Sequence, residues 1–162
     1  MEQERAQQIV RQLTYAPRTT DAQKMRELFV KAVKQDDLGL FHRIFNAKSS
    51  DFEKNLLKEK VTKHSWPLHV ACEYQRLEVV RELVEEFKCD VNQVCEVSGY
   101  TPLMYAAQVG SLQLVGFLLA QPNIDVEVAS GLSGRDALAI SRDAGFDRIA
   151  KQIEEHLHKP TY

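Results

Sequence analysis

The chain has 162 residues, of which 44% are apolar and 27% charged, and a formal net charge of −2. The slightly acidic balance argues against a general nucleic-acid or anionic-membrane surface, since both need a basic face. No apolar run reaches the roughly 18 residues of a membrane span, and a chain of this length buries enough surface to fold without metal or disulfide staples; with no Gly-rich phosphate loop in the sequence, no cofactor is expected.

In chain order, "MEQERAQQIVRQL" predicts a short amphipathic helix over 2–13 with Ile9, Val10 and Leu13 on one side. It lacks the apolar centre of a signal peptide, which argues against Sec-type export. "TYAPRTTD" breaks it, and Asp21 is placed to cap a helix carrying Met25, Leu28, Phe29 and Val33. Ser50 and Glu53 form a capping-box pattern ahead of "FEKNLLKEKV", so the long connection there is expected to hold one or two helical turns. Cys72, Cys89 and Cys95 are odd in number, which leaves at least one unpaired and points to a reducing compartment, cytoplasmic or nuclear.

The centre of the chain repeats. "SGYTPLMYAAQVGSLQLVGFLL" aligns with "KHSWPLHVACEYQRLEVVRELV" at an offset of 35 residues, setting Pro102 on Pro67, Leu103 on Leu68, Ala106 on Ala71 and Val115 on Val80. "SGRDALAISRDAGFDRIAKQI" follows at the same offset, with Gly145 on Gly110. A fourth copy near the start places Ala32 on Ala71 and Phe41 on Val80 at an offset of 39, with the extra residues in its connection. A fixed period in this range marks stacked supersecondary units.

Each unit reads as two short helices. Thr101 can cap the first and Pro102 suits its opening turn, where the missing N–H costs nothing. Ala106 and Ala107 are small where two helices must approach, and Gly110 ends the helix with an expected positive φ. Leu112, Val115, Leu118 and Leu119 then form an apolar stripe, matched by Leu77, Val80, Leu83 and Val84 one unit earlier and by Ile149, Ile153 and Leu157 one unit later. A lone helix pair cannot bury such a stripe, whereas stacked pairs can, at ~1.5–3 kcal/mol for each buried Leu. Gly116, inside a helix, is expected to allow close packing.

The Thr-Pro-Leu run of Thr101–Leu103 with Ala106, and the Asp90-Val91-Asn92 closing segment, resemble the ankyrin repeat, whose unit is a β-turn and two helices with a T-P-L-H-x-A signature. The resemblance implies an all-α solenoid of about four repeats with β-turn fingers. The organisation expected is an N-terminal helical extension over 1–21, a repeat domain over 22–158 with units at about 22–60, 61–95, 96–130 and 131–158, and a tail over 159–162. The signature is incomplete throughout. Met104 stands where the family's His belongs, Trp66 where Thr belongs before His69, and Asp136 and Ala139 fill both places in the last unit. Each unit is therefore expected to be marginal alone and to lean on its neighbours.

Chemical sites are sparse. His69 and Cys72 share a helix face, but in the ankyrin register the first is a structural residue and the second packs against a neighbouring helix. Cys89 and Cys95, with His64 and His69, lack zinc-ligand spacing, and Cys95 is expected to be exposed in a turn. Function is therefore expected to lie in shape. The resemblance implies a non-catalytic adaptor or inhibitor, monomeric, that binds a protein partner through the concave surface of fingers and first helices. In that register the surface comprises Thr62, Lys63, Ser65, Glu73 and Tyr74; Val97, Ser98, Tyr100, Gln108 and Val109; and Leu132, Ser133 and Arg135. Tyr and Arg are enriched at binding hot spots. Tyr105 and Met104 could face either the groove or a neighbouring unit. The alternative is a thiol-dependent enzyme or redox protein using Cys72 or Cys95. Asn92, in "LVEEFKCDVN", is similar to ankyrin sites of asparaginyl hydroxylation.

Overall fold

A helix whose apolar face recurs every third or fourth residue buries that face, and four such pairs follow one another here. The computed structural model describes residues 19–46, 57, 60–62 and 65–158. The expected helix over 2–13, the Ser50–Glu53 capping box, Lys63 and the tail lie outside the described residues. The first pair is α1 (Thr19–Gln35) and α2 (Leu38–Asn46), and the second α3 (Pro67–Glu73) and α4 (Leu77–Glu85). The third is α5 (Pro102–Gln108) and α6 (Leu112–Leu119), and the fourth α7 (Ala137–Asp143) and α8 (Asp147–Leu157). Among the described residues there are no strands. Helix α1 begins two residues before Asp21, so Asp21 sits in the first turn and is not the cap expected of it.

The pairs stack by translation. First helices touch in the series α1–α3–α5–α7, and second helices in the series α4–α6–α8. Of the stripe residues, Val80, Leu83, Val115, Leu118 and Ile153 are buried between these layers, Leu77 and Leu112 are half-buried, and Leu157, expected on the stripe, is exposed at the end of α8. The outer side of α8 carries Asp147, Arg148, Lys151 and Glu155 in solvent, as a terminal unit requires.

Every pair turns in one way. The residue after the turn donates its N–H five residues back, as Asp37 to Ala32 (2.9 Å), Arg76 to Ala71 (2.9 Å), Ser111 to Ala106 (3.1 Å) and Phe146 to Ser141 (2.9 Å). This Schellman closure needs a left-handed residue just before it. That residue is Gly110 or Gly145 (φ 76° in both) in two units, but Asp36 (φ 58°) and Gln75 (φ 57°) in the others. The acceptor positions Ala32, Ala71, Ala106 and Ser141 are buried, which explains their small side chains. The shared bond also fixes the register of the first pair at the offset of 39 residues.

The junction between the first two pairs is aromatic. Phe41 and Phe45 of α2 stack at 4.7 Å, and Phe87, just beyond α4, lies 4.4 Å from Phe45. Phe29 of α1 closes the group at 6.0 Å from Phe41. Arg76 adds a polar clasp by donating from Nε to the Val33 carbonyl and from Nη2 to the Lys34 carbonyl, both at 2.8 Å, which satisfies two open carbonyls at the end of α1.

Candidate functional site

Three hairpin-like fingers precede α3, α5 and α7, and their backbone bonds define them. Val61 donates to the Ser65 carbonyl (3.0 Å), Cys95 to Tyr100 (2.8 Å) and Ser130 to Arg135 (2.8 Å). The second and third fingers turn on Gly99 (φ 69°) and Gly134 (φ 64°). In the first, the bonded pair stands four residues apart and not five. Neighbouring fingers are tied, since Ser130 Oγ donates to the Ser98 carbonyl at 3.0 Å. A side chain at Gly99 would meet that Oγ at 2.8 Å, so the close approach, as well as the turn, requires glycine there.

Between the last two fingers runs a groove of about 340 Å³, lined by Ser98, Tyr100, Tyr105, Gln108, Leu132 and Ser133. Five of these six were expected from sequence as one surface, and the structure brings them together. The sixth, Tyr105, is half-buried beneath them. Its hydroxyl pairs with Ser98 Oγ at 3.0 Å and donates to Cys95 Sγ at 3.7 Å. Its ring stands edge-on to both His69 and Tyr100, with centroids 5.5 Å apart in each case. Burial raises the Tyr105 hydroxyl pKa above the usual phenol value, the Ser98 hydrogen bond opposes the rise, and Cys95 and then Glu73 add to it, so Tyr105 is a neutral donor at ordinary pH. A sequence signal for it existed. The equivalent positions in the flanking units are Val70 and Ile140, both buried, so a hydroxyl at Tyr105 signals a polar opening.

The fingertips flanking the groove are apolar and in solvent, Val97 at 50% and Leu132 at 75% exposure. They are equivalent positions one period apart. The other expected residues spread along the same side. Glu73 and Gln108 are exposed, as is Thr62, while Ser65, Tyr74 and Val109 are half-buried. The Lys34 ammonium lies over the Tyr74 ring, 5.3 Å from its centroid. Arg135 pairs with Asp143 at 3.1 Å and does not line the groove. Met104 is buried, which removes it from the groove.

The sulfur and imidazole groups sort by burial. Cys72 is fully enclosed, and burial drives its thiol pKa far up, away from the thiolate that nucleophilic chemistry needs. Burial also pushes the Cys89 thiol up to about 11, with Asp90 adding to it. Cys95 corrects an expectation, since it is 1% exposed because it opens the finger and its side chain turns inward onto Tyr105. Burial alone would raise its pKa, but hydrogen bonds from the Ser98 side chain, the Ser98 and Val97 backbone and the Tyr105 hydroxyl outweigh burial and lower it. His69 is buried and donates from Nε2 to the Gln93 carbonyl at 2.8 Å, reaching into the next finger. Burial lowers its pKa to about 4, against partial opposition from the Gln93 and Tyr100 carbonyls. Its contact is with a carbonyl and not a thiol, so His69 and Cys72 form no catalytic pair. Among the described residues no group of three or more His, Cys, Asp or Glu side chains could hold a metal ion, and no helix is long and apolar enough to cross a membrane.

Asn92 is held at both ends of its amide. Nδ2 donates to the Asn123 carbonyl (2.7 Å) and Oδ1 accepts from the Asp125 N–H (2.9 Å), joining one unit to the next.

Comparison with known proteins agrees with this architecture. A family model described as ankyrin repeats, in three copies, matches residues 29–130. A chain in the crystal structure of the yeast ribosomal protein Rps3 in complex with its chaperone Yar1 superimposes with a TM-score of 0.71. The two share 22% identity, and the match covers 86% of this chain and 98% of that one, a likeness of fold.

Proposed function

The chain belongs to the ankyrin-repeat family, and on that premise we propose that it is a non-catalytic adaptor or inhibitor that binds a protein partner on the face built from its fingers and first helices. One observation carries the reading. Two equivalent fingertips expose Val97, next to the groove residue Ser98, and Leu132, in the lining of a groove that also holds two tyrosines, while most other large aliphatic side chains among the described residues are buried or half-buried. Exposed apolar groups gathered at one place mark interaction sites, and tyrosines supply contact area together with a polar handle. The family membership supports this, as does the fold shared with a structure of a ribosomal protein and its chaperone. The thiol alternative has less support, because both proposed nucleophiles, Cys72 and Cys95, are closed off from solvent. We place the protein in the cytoplasm or nucleus on its unpaired cysteines, and propose that it is a monomer because the last unit ends the stack with a charged outer face.

The test is affinity capture with the whole chain beside a variant carrying Tyr74→Ala, Tyr100→Ala and Arg135→Ala, with matched thermal melts to show that the variant folds. A partner retained by the wild type and lost by the folded variant is expected. Equal capture by both would remove these residues from the binding face.

A further inference from the structure

We propose that the groove between the second and third fingers takes an extended segment of a partner protein, one that sets an aliphatic side chain between Val97 and Leu132 and a basic side chain against Glu73. This rests on the docking face proposed above and assigns it a partner chemistry.

The charges decide it. Every residue lining the groove is uncharged. Around it, Arg135 is neutralised by Asp143 at 3.1 Å, and Glu96 by Lys60. Glu73 is exposed, makes no ion pair among the described residues, and ends α3 one period before the groove residue Gln108 on the adjoining α5. Lys34 is engaged over the Tyr74 ring, not with Glu73. The uncompensated charge beside the groove is therefore negative. An acidic segment would set carboxylate against carboxylate there, while a Lys or Arg would find Glu73.

The aliphatic half follows from the tips. Val97 and Leu132 are apolar, whereas the first finger presents Thr62 at the matching place, so the apolar pair is confined to the groove's own rims. Between them the Ser133 hydroxyl and the Gln108 amide offer neutral donors and acceptors suited to peptide groups. An extended segment turns alternate side chains to one face, so the aliphatic and basic residues are expected two positions apart.

A random-peptide phage library selected on the full chain tests this, followed by fluorescence anisotropy with a fluorescein-labelled copy of the enriched peptide. The expected result is enrichment of an aliphatic residue with Lys or Arg at the alternate position. Affinity should fall about tenfold in Leu132→Ser, and about two- to fivefold in Glu73→Gln, the latter loss shrinking in high salt. Replacing the peptide's basic residue by Gln should weaken binding to the wild type and leave binding to Glu73→Gln unmoved. Both substitutions are at exposed positions, and unchanged melts would show that folding is intact. Peptides that depend on Leu132 but show acidic or no charge preference would overturn this inference and leave the docking face standing. Peptides indifferent to Leu132→Ser, or no enrichment at all, would remove both.

Discussion

The second and third units are built on one 35-residue template and meet its demands with different chemistry. In the third, Thr101 Oγ1 accepts from the Met104 N–H (3.3 Å), while the Thr101 N–H donates to Met104 Sδ (3.4 Å), so a thioether completes the cap at the place where the signature has histidine. In the second, Trp66 makes no side-chain cap, and His69 spends its Nε2 on the next finger while its buried Nδ1 has no partner. The turns differ likewise. Gly110 leaves room for the Phe146 ring of the next unit, whereas at Gln75 the following residue, Arg76, reaches back to the previous unit. A solenoid position thus prescribes a geometry and a set of satisfied backbone groups, and leaves open which side chain supplies them. The fourth unit adds a third solution, with Asp136 Oδ1 accepting from the Ala139 N–H at 2.7 Å.

The largest effect that follows is at Gly110. A Cβ there would lie 2.5 Å from Phe146 Cζ, and the backbone is left-handed at φ 76°. Gly110→Ala should therefore cost about 2–4 kcal/mol, from the conformational penalty and from displacing an aromatic ring. Urea denaturation of the whole chain measures it, and a loss under about 1 kcal/mol would show that the ring moves aside freely.

The buried imidazole of the second unit predicts a pH dependence that the third unit lacks. His69 has a pKa of about 4 when folded, against 6.5 for the unperturbed side chain. The unfolded chain therefore binds the proton first as pH falls. Stability from this group is complete above about pH 6.5, declines through the window down to about 4, and is constant below. By pH 5 the loss should be about 2 kcal/mol. His69→Gln should flatten the difference in urea midpoint between pH 7 and pH 5, and an unchanged slope would assign the dependence elsewhere. In the third unit, at the place Trp66 fills in the second, Thr101→Ala should cost about 1 kcal/mol at either pH, the usual value of a lost cap. Trp66→Ala removes no cap and should change stability through packing alone.

How far these features could be read from the chain follows from how local they are. The stripes, the Pro at helix starts and Gly110 are signals within a few residues of one another, and they carried the fold and its register. The finger positions Ser98, Tyr100, Leu132 and Ser133 came from that register. What escaped was non-local or conformationally unusual. The clasp by Arg76 spans 43 residues and has no local mark. Cys95 looked like an exposed turn residue because the inward turn of the first finger residue depends on Tyr105, ten positions on. Trp66 reads as a lost signature residue, yet it lines a hollow with Leu57, Leu68 and Phe87, a tertiary setting with no local mark.

The smallest effect is also the sharpest check on the comparison. Gln75 occupies the left-handed place that Gly110 and Gly145 fill elsewhere, at φ 57°. Its side chain is in solvent, and the bonds of its turn are made by backbone atoms, Gln75 N–H to the Cys72 carbonyl at 3.0 Å and Arg76 N–H to Ala71 at 2.9 Å. Replacement by glycine keeps those bonds and removes a steric cost of about 1–2 kcal/mol. It also enlarges the freedom of the unfolded chain, which returns about 0.5–1 kcal/mol of that gain. Gln75→Gly should therefore stabilise by about 0.5 kcal/mol, visible as a small rise in urea midpoint with an unchanged slope. If one geometry governs all four turns, glycine should improve the second as it serves the third. A loss of stability would mean that the Gln75 side chain does something there that the shared template does not require.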